Sequence, residues 1–291
     1  MSTRRSFLGT VVGGVAVSTG MGARDLWAAG QLAWPKPIGL AIYTVRELFA
    51  KDPAGTLKQV AAIGYKEVET GFAVKPAEMN PALKAAGLSM PSAYVDPPKT
   101  IDDWKKNIDL GKQAGVHYLV VGSNPKLDID TWKRWADLFS QCGDLSLKAG
   151  IQFCYHAHYR EFAPQDGTCG YDVLLTRCDA KVLKIEMDVF WATYAGIDPV
   201  KYFQRYPGRF PLLHIKDLRK GEKGSLTESP SNQGPSAFVP VGTGSIDWRR
   251  IFAHADVAGV RHIFVEQDRC DMPPMEAAKM SFDYLKNLHQ A

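Results

Sequence analysis

Residues 182–217 read VLKIEMDVFWATYAGIDPVKYFQRYPGRFPLLHIKD. A short apolar run, VLKIEMD, opens the stretch, and another, FPLLHIKD, closes it. Both stop in ionisable side chains: Asp188 ends the first, and His214, Lys216 and Asp217 end the second. Between them, DPVKYFQRYPG carries apolar residues at helical spacing. Strand, helix and strand in that order predict a parallel pair joined by a right-handed crossover.

The same unit recurs on both sides. Upstream the runs are IGLAIYTV, YKEVET, LSMPSAYV, HYLVVGS and IQFCYHAH, and downstream there is HIFVEQD. Segments of helical periodicity separate them. In DPAGTLKQVAAIG, Pro53 directly after Asp52 is a start signal and Gly64 a stop. Eight strand–helix units within about 250 residues predict an α/β chain forming a single (β/α)8 TIM barrel over residues 37–291. An open doubly wound sheet is the competing arrangement, but no G-x-G-x-x-G follows the first run. The long irregular stretch at residues 218–245 is rich in Gly, Ser and Pro. It reads as a lid over a substrate or as a contact in a homo-oligomer.

The chain has 291 residues, 45% hydrophobic and 23% charged, with a formal net charge of +4. That composition is ordinary for a globular protein. No Lys/Arg cluster interleaves with aromatics, so nucleic acid is not an expected partner. Residues 1–29 differ from the rest. The pair Arg4 and Arg5 is followed by Phe7 and Leu8, then a Gly- and Val-rich stretch, then Ala28 and Ala29. This resembles a twin-arginine export signal, which implies a periplasmic or secreted location. The apolar stretch is too short and Gly-rich to predict a stable membrane span. The five cysteines are an odd count without C-x-x-C spacing, which argues against a disulfide framework or a zinc knuckle.

In a barrel the carboxyl ends of the strands converge on the active face. Those ends carry Glu69, Tyr94, Gly122 with Ser123, His156 with His158, Asp188, His214 with Lys216 and Asp217, and Glu266. Four consecutive strands offering His, Asp, His and Glu form a ring able to hold one divalent cation: Mn²⁺, Mg²⁺, Co²⁺ or Zn²⁺. Each residue alone has a plainer account. Glu69 suits an exposed strand terminus, Asp188 the cap of a following turn, His214 a satisfied core position, and Lys216 with Asp217 a solvated pair.

FPLLHIKDL, VPVGTGSIDWRRIF, IFVEQD and VLKIEMDVFWATYAG follow one another as do motifs of the xylose isomerase-like barrel superfamily of sugar phosphate isomerases and epimerases, which the chain resembles over nearly all of residues 37–291. The resemblance implies that Asp188, His214 and Glu266 bind the cation, with the fourth ligand from IQFCYHAHYREF. Better-known epimerases have a glutamate there and this chain has His156, as in a subgroup with a His-x-His-x-x-Glu-Phe motif. Strand alternation puts His156 and His158 on one side. His156 is therefore expected as the ligand, His158 as a second ligand or base, and Glu161 as a catalytic carboxylate that orients an imidazole. Lys216 and Glu266 complete the expected catalytic set. Tyr43, Glu69, Tyr94 and Trp191 are expected to contact a sugar or glycoside, with Phe190 as a further aromatic. The implied chemistry is proton abstraction beside a carbonyl through a metal-stabilised enediolate, that is, isomerisation or epimerisation. A one-sided base would suit elimination from a 3-keto-glycoside instead. A non-catalytic sugar-binding barrel and a metal-dependent endonuclease are the remaining alternatives.

Overall fold

The computed structural model of the protein describes residues 37–123 and 125–288. The expected export segment, residues 1–29, lies outside the described residues.

Eight parallel strands close into a barrel. They are β1 (Ile38–Ala41), β2 (Glu67–Gly71), β3 (Ser89–Val95), β4 (Tyr118–Gly122), β5 (Gln152–His156), β6 (Leu183–Asp188), β7 (Leu212–Ile215) and β10 (His262–Val265). The order around the barrel is β1-β10-β7-β6-β5-β4-β3-β2, and β1 pairs with β2 to close the ring. Helices fill the crossovers. Helix Pro53–Ile63 begins where the Asp52–Pro53 pair predicted, the Asp52 carboxylate accepting from Gly55 N at 2.9 Å. It stops at Gly64, whose φ of 126° suits glycine.

Two apolar layers result. Phe153 of β5 packs with the helix residues Trp104, Trp132 and Phe139 in the layer between strands and helices. Side chains turned inward form a second cluster of Ala41, Val120, Cys154, Leu212 and Phe264. This cluster plugs the lumen below the carboxyl ends. Each fully buried Leu or Phe in it stabilises the barrel by roughly 1.5–3 kcal/mol. Cys154, within the apolar run of β5, is fully buried in this cluster as a small core residue.

Register sets the layer above the plug. Across β5–β6, His156 stands opposite Glu186, and across β6–β7, Asp188 stands opposite His214. Gly122 stands opposite His156 across β4–β5.

The stretch at residues 218–245 contains an antiparallel ribbon of β8 (Asp217–Leu218) and β9 (Phe238–Val239) that the sequence pattern did not predict. The body of the barrel holds this stretch by its backbone. Tyr194 Oη donates to Glu228 O at 3.0 Å, Arg269 to Ser231 O at 3.2 Å, and Gln267 Nε2 to Phe238 O at 3.3 Å. Among the described residues, no helix is long and apolar enough to cross a membrane.

Candidate metal centre

The strands β5, β6 and β7 bring His156, Asp188 and His214 together, with ligand atoms all within 4.8 Å of one another. All three are buried. Asp188 divides its carboxylate between two tasks. Oδ1 accepts from Trp191 N at 2.9 Å and so caps the helix Val189–Tyr194. Oδ2 is buried without a hydrogen bond. It lies 3.5 Å from His156 Nε2, 3.9 Å from His214 Nδ1 and 3.0 Å from Lys216 Nζ. A buried carboxylate oxygen that faces two imidazole nitrogens and is otherwise met by the Lys216 ammonium suits a shared cation.

The far side of each imidazole is anchored by a carboxylate. His156 Nδ1 meets Glu186 Oε2 at 2.9 Å and Tyr94 Oη at 2.7 Å. Because Tyr94 Oη itself donates to Glu186 Oε2 at 2.6 Å, His156 Nδ1 is the protonated nitrogen and Nε2 keeps its lone pair. His214 Nε2 meets Glu69 Oε2 at 2.6 Å, while Nδ1 faces Glu266 Oε2 at 2.8 Å and Asp188 Oδ2 at 3.9 Å. Carboxylates behind ligating imidazoles fix tautomer and ring orientation. Glu69, Glu186 and His214 also bring potential ligand atoms within 4.8 Å. The hydrogen-bond lengths to the imidazoles make Glu69 and Glu186 the outer supports of the first group. Burial, and then the neighbouring Glu69, push the Glu186 carboxyl well up.

Beside this group stand Lys216, Glu266 and Asp268. Lys216 Nζ lies 2.6 Å from Glu266 Oε2 and 2.7 Å from Asp268 Oδ1. Burial disfavours the ammonium, but Asp188, Asp268 and Glu266 outweigh it and hold the lysine charged. Burial would likewise raise Glu266, yet Lys216 and His214 keep that carboxylate ionised. His158 Nδ1 donates to Ser123 O at 3.0 Å, since a carbonyl can only accept, and this leaves Nε2 as an acceptor. Burial, then the Lys216 charge, lower His158 to about 4, so the ring is neutral near pH 7. Five carboxyl groups (Glu69, Glu186, Asp188, Glu266 and Asp268) thus crowd around the Lys216 ammonium and the His214 imidazole, a donor set rich enough in oxygen for a divalent cation. Above them opens a cavity of about 740 Å³, lined by Tyr43, Arg46, Tyr94, His158, Lys216 and Glu266 among others.

Most expected site residues meet here. His156, Asp188 and His214 form the group. Glu266 lies just outside it, its Oε2 2.8 Å from His214 Nδ1. His158, Lys216, Tyr43, Tyr94 and Glu69 line the cavity. Glu69 does so while orienting His214, and Tyr94 while orienting His156. Tyr43 stands at the rim, 53% exposed under the Arg46 guanidinium.

Four expectations are corrected. Glu161 does not reach an imidazole: β5 ends at His156, the chain turns into the short Arg160–Phe162 helix, and Glu161 Oε1 accepts from Tyr155 Oη at 3.0 Å behind the strand. Trp191 is no sugar platform, being 6% exposed and packed on His158 and Tyr159. Phe190 is core, stacked on Phe238 at 4.3 Å. Asp217 is not a solvated partner of Lys216. It is buried and gathers Leu218 N, Gly242 N, Gly244 N, Ile246 N and Trp248 Nε1 at 2.8–3.2 Å. The HIKD aspartate therefore pins the GTGSIDW segment.

Glu186, Asp268 and Arg46 were missed. Glu186 and Asp268 sit two residues from Asp188 and Glu266, so strand alternation could have found them. Arg46 opens the helix after β1 and carries no such signal.

The sequence model described as xylose isomerase-like TIM barrel matches residues 57–288. An inosose dehydratase of Geobacillus kaustophilus is 23% identical, over 80% of this chain and 86% of its own. One from Clostridium botulinum is 29% identical over half of each chain, so this chain spans about half the length of some curated relatives. A sugar phosphate isomerase/epimerase structure from Parabacteroides distasonis superposes with a TM-score of 0.73 at 25% identity, covering 86% of this chain and 93% of that one. A Mycobacterium smegmatis barrel in complex with magnesium gives a TM-score of 0.66 at 14% identity, over 87% and 96% of the two chains, a likeness of fold alone.

Proposed function

Because the chain belongs to the xylose isomerase-like TIM barrel family, we propose that it is a divalent-metal-dependent enzyme acting on keto-sugars by elimination. It removes the proton beside the carbonyl and expels the oxygen substituent one carbon further on. The observation that carries this reading is the one-sided base. Where a glutamate would stand at the end of β5, His156 is occupied by Glu186 and Tyr94, and His158 Nε2 is the imidazole acceptor left on a cavity-lining residue.

His156 Nε2, Asp188 Oδ2 and His214 Nδ1 would hold the cation, with Glu266 beside them. When bound, it would polarise the carbonyl and acidify the adjacent C–H. His158 Nε2 takes that proton while neutral. Lys216 places a fixed positive charge where the oxygen gains negative charge, in a site that Glu266 and Asp188 keep ordered. Tyr43 and Arg46 at the rim present an aromatic face and a donor to the ring. The inosose dehydratase relatives, whose name denotes loss of water from a keto-cyclitol, support this reading. Export by the twin-arginine route would place the enzyme where phosphorylated sugars are scarce, so the substrate is an unphosphorylated keto-glycoside or keto-cyclitol.

A second reading, isomerisation or epimerisation, is favoured by the Parabacteroides distasonis neighbour. Proton NMR in D₂O separates the two, using the chain loaded in turn with Mn²⁺, Mg²⁺, Co²⁺ or Zn²⁺ and a panel of free ketoses, inososes and 3-keto-glycosides. An unsaturated ketone with released alcohol or water is the expected product. Deuterium entering an intact skeleton would replace elimination by isomerisation. Neither outcome with any metal would leave a sugar-binding barrel.

A further inference from the structure

Beside the main cavity lies a second, of about 320 Å³, and the two share Arg46 and Asp268 as their common wall. One side of the second cavity is the helix Arg46–Lys51, presenting Glu47, Leu48 and Lys51. The other is the segment after β10, presenting Arg269, Met272 and Pro274. Five large apolar side chains are exposed among the described residues, and three of them, Tyr43, Leu48 and Met272, line these adjoining cavities. Exposed apolar groups gathered at one mouth mark a binding surface. Here they alternate with Arg46, Glu47, Lys51 and Asp268. That mixture suits a sugar ring, which has an apolar C–H face and a rim of hydroxyl donors and acceptors.

The junction also sits beside the charged apparatus. Asp268 Oδ1 is 2.7 Å from Lys216 Nζ, so whatever spans both cavities passes next to the ammonium. Arg269 is fixed by donation to Ser231 O and Gly234 O, which makes that wall a built surface.

We propose that the second cavity is a leaving-group subsite for a second sugar ring, so that the substrate is an oxidised disaccharide-type glycoside. This rests on the elimination reading. In that step the C–H proton passes to His158 and its electron pair forms the new C=C bond. The C–O bond breaks with its pair on oxygen, and the oxygen takes a proton from water. The second ring then leaves as a free sugar, and His158 returns its proton to solvent.

The test uses the full chain, titrated calorimetrically with α- and β-linked 3-keto-disaccharides and with the matching 3-keto methyl glycosides. The second ring is expected to tighten binding roughly tenfold for one linkage in the native chain. Leu48→Glu and Met272→Glu, both at exposed positions, are expected to abolish that advantage. No advantage with either linkage, or an advantage that survives both substitutions, overturns the subsite. Product formation is followed in parallel. Equal affinities with elimination intact would sink the subsite and leave the reaction. A second-ring advantage without product would sink the reaction and leave the subsite.

Discussion

The barrel mouth has a crowded half and an open half. On β5, β6, β7 and β10 the strand ends present His156, Asp188, His214 and Glu266, with Lys216 among them. On β1 to β4 they present Ala41, Glu69, Tyr94 and Gly122, with Glu69 the one charged group. One pleat and one inward direction govern both halves, so the difference lies in side-chain choice. At Gly122 even a Cβ would come 2.6 Å from Tyr94 Cε1, so the glycine lets the tyrosine ring cross β4 to reach His156 and Glu186. The open half is therefore space reserved for a ring that steadies the crowded half. Under the proposed function, a substrate would approach over Tyr43 and Arg46, which line the same cavity as His158, Lys216 and Glu266.

The largest effect should come from removing a ligand in the crowded half. Asp188→Ala and His214→Ala are each expected to lose bound metal and roughly 10³-fold or more in turnover. Atomic absorption on the purified variants, beside the NMR assay, reads both. A variant that keeps one metal per chain would move the centre elsewhere.

A smaller effect tests whether the two outer carboxylates differ. Glu69 accepts directly from His214 Nε2, so Glu69→Gln should weaken metal affinity by roughly 10–100-fold. The carboxyl of Glu186 is already pushed toward its protonated form, which an amide resembles, so Glu186→Gln should cost less. Competition with a fluorescent chelator measures both. The reverse order would refute the assignment of roles.

The smallest effect belongs outside the lumen, on Glu161 behind β5. Burial raises its carboxyl from the ordinary 4.5 to about 8. Below the lower value both folded and unfolded chains hold the proton. Between about 4.5 and 8 only the folded chain does, so this group's contribution to stability falls as pH rises and levels off above 8. The native chain should therefore lose several degrees more in Tm between pH 5 and pH 8 than Glu161→Gln. Matching losses would mean that Glu161 is not held protonated.

Much of the crowded half was legible because strands end where apolar runs meet ionisable residues. Asp188, His214 and Glu266 each close such a run. The errors share a cause, which is nearness in sequence read as nearness in space. Glu161 was expected to reach back to an imidazole from just beyond β5, but the chain turns after His156 and carries it behind the strand. Trp191 was placed by its nearness to Asp188, but its helix turns it onto His158 and Tyr159. Asp217 was paired with Lys216 because they are neighbours, and neighbours on an extended chain point apart. Register was not legible at all. Nothing local states that His156 faces Glu186 or that Asp188 faces His214, and those pairings make the centre.

The stretch at residues 218–245 is gripped by the rest of the chain at four of its carbonyls, those of Glu228, Ser231, Gly234 and Phe238, through donors on Tyr194, Arg269 and Gln267. A carbonyl is present whatever side chain it accompanies. The grip at those four positions thus does not depend on the side chains they carry, and substitutions there need not unmoor the stretch from the barrel mouth.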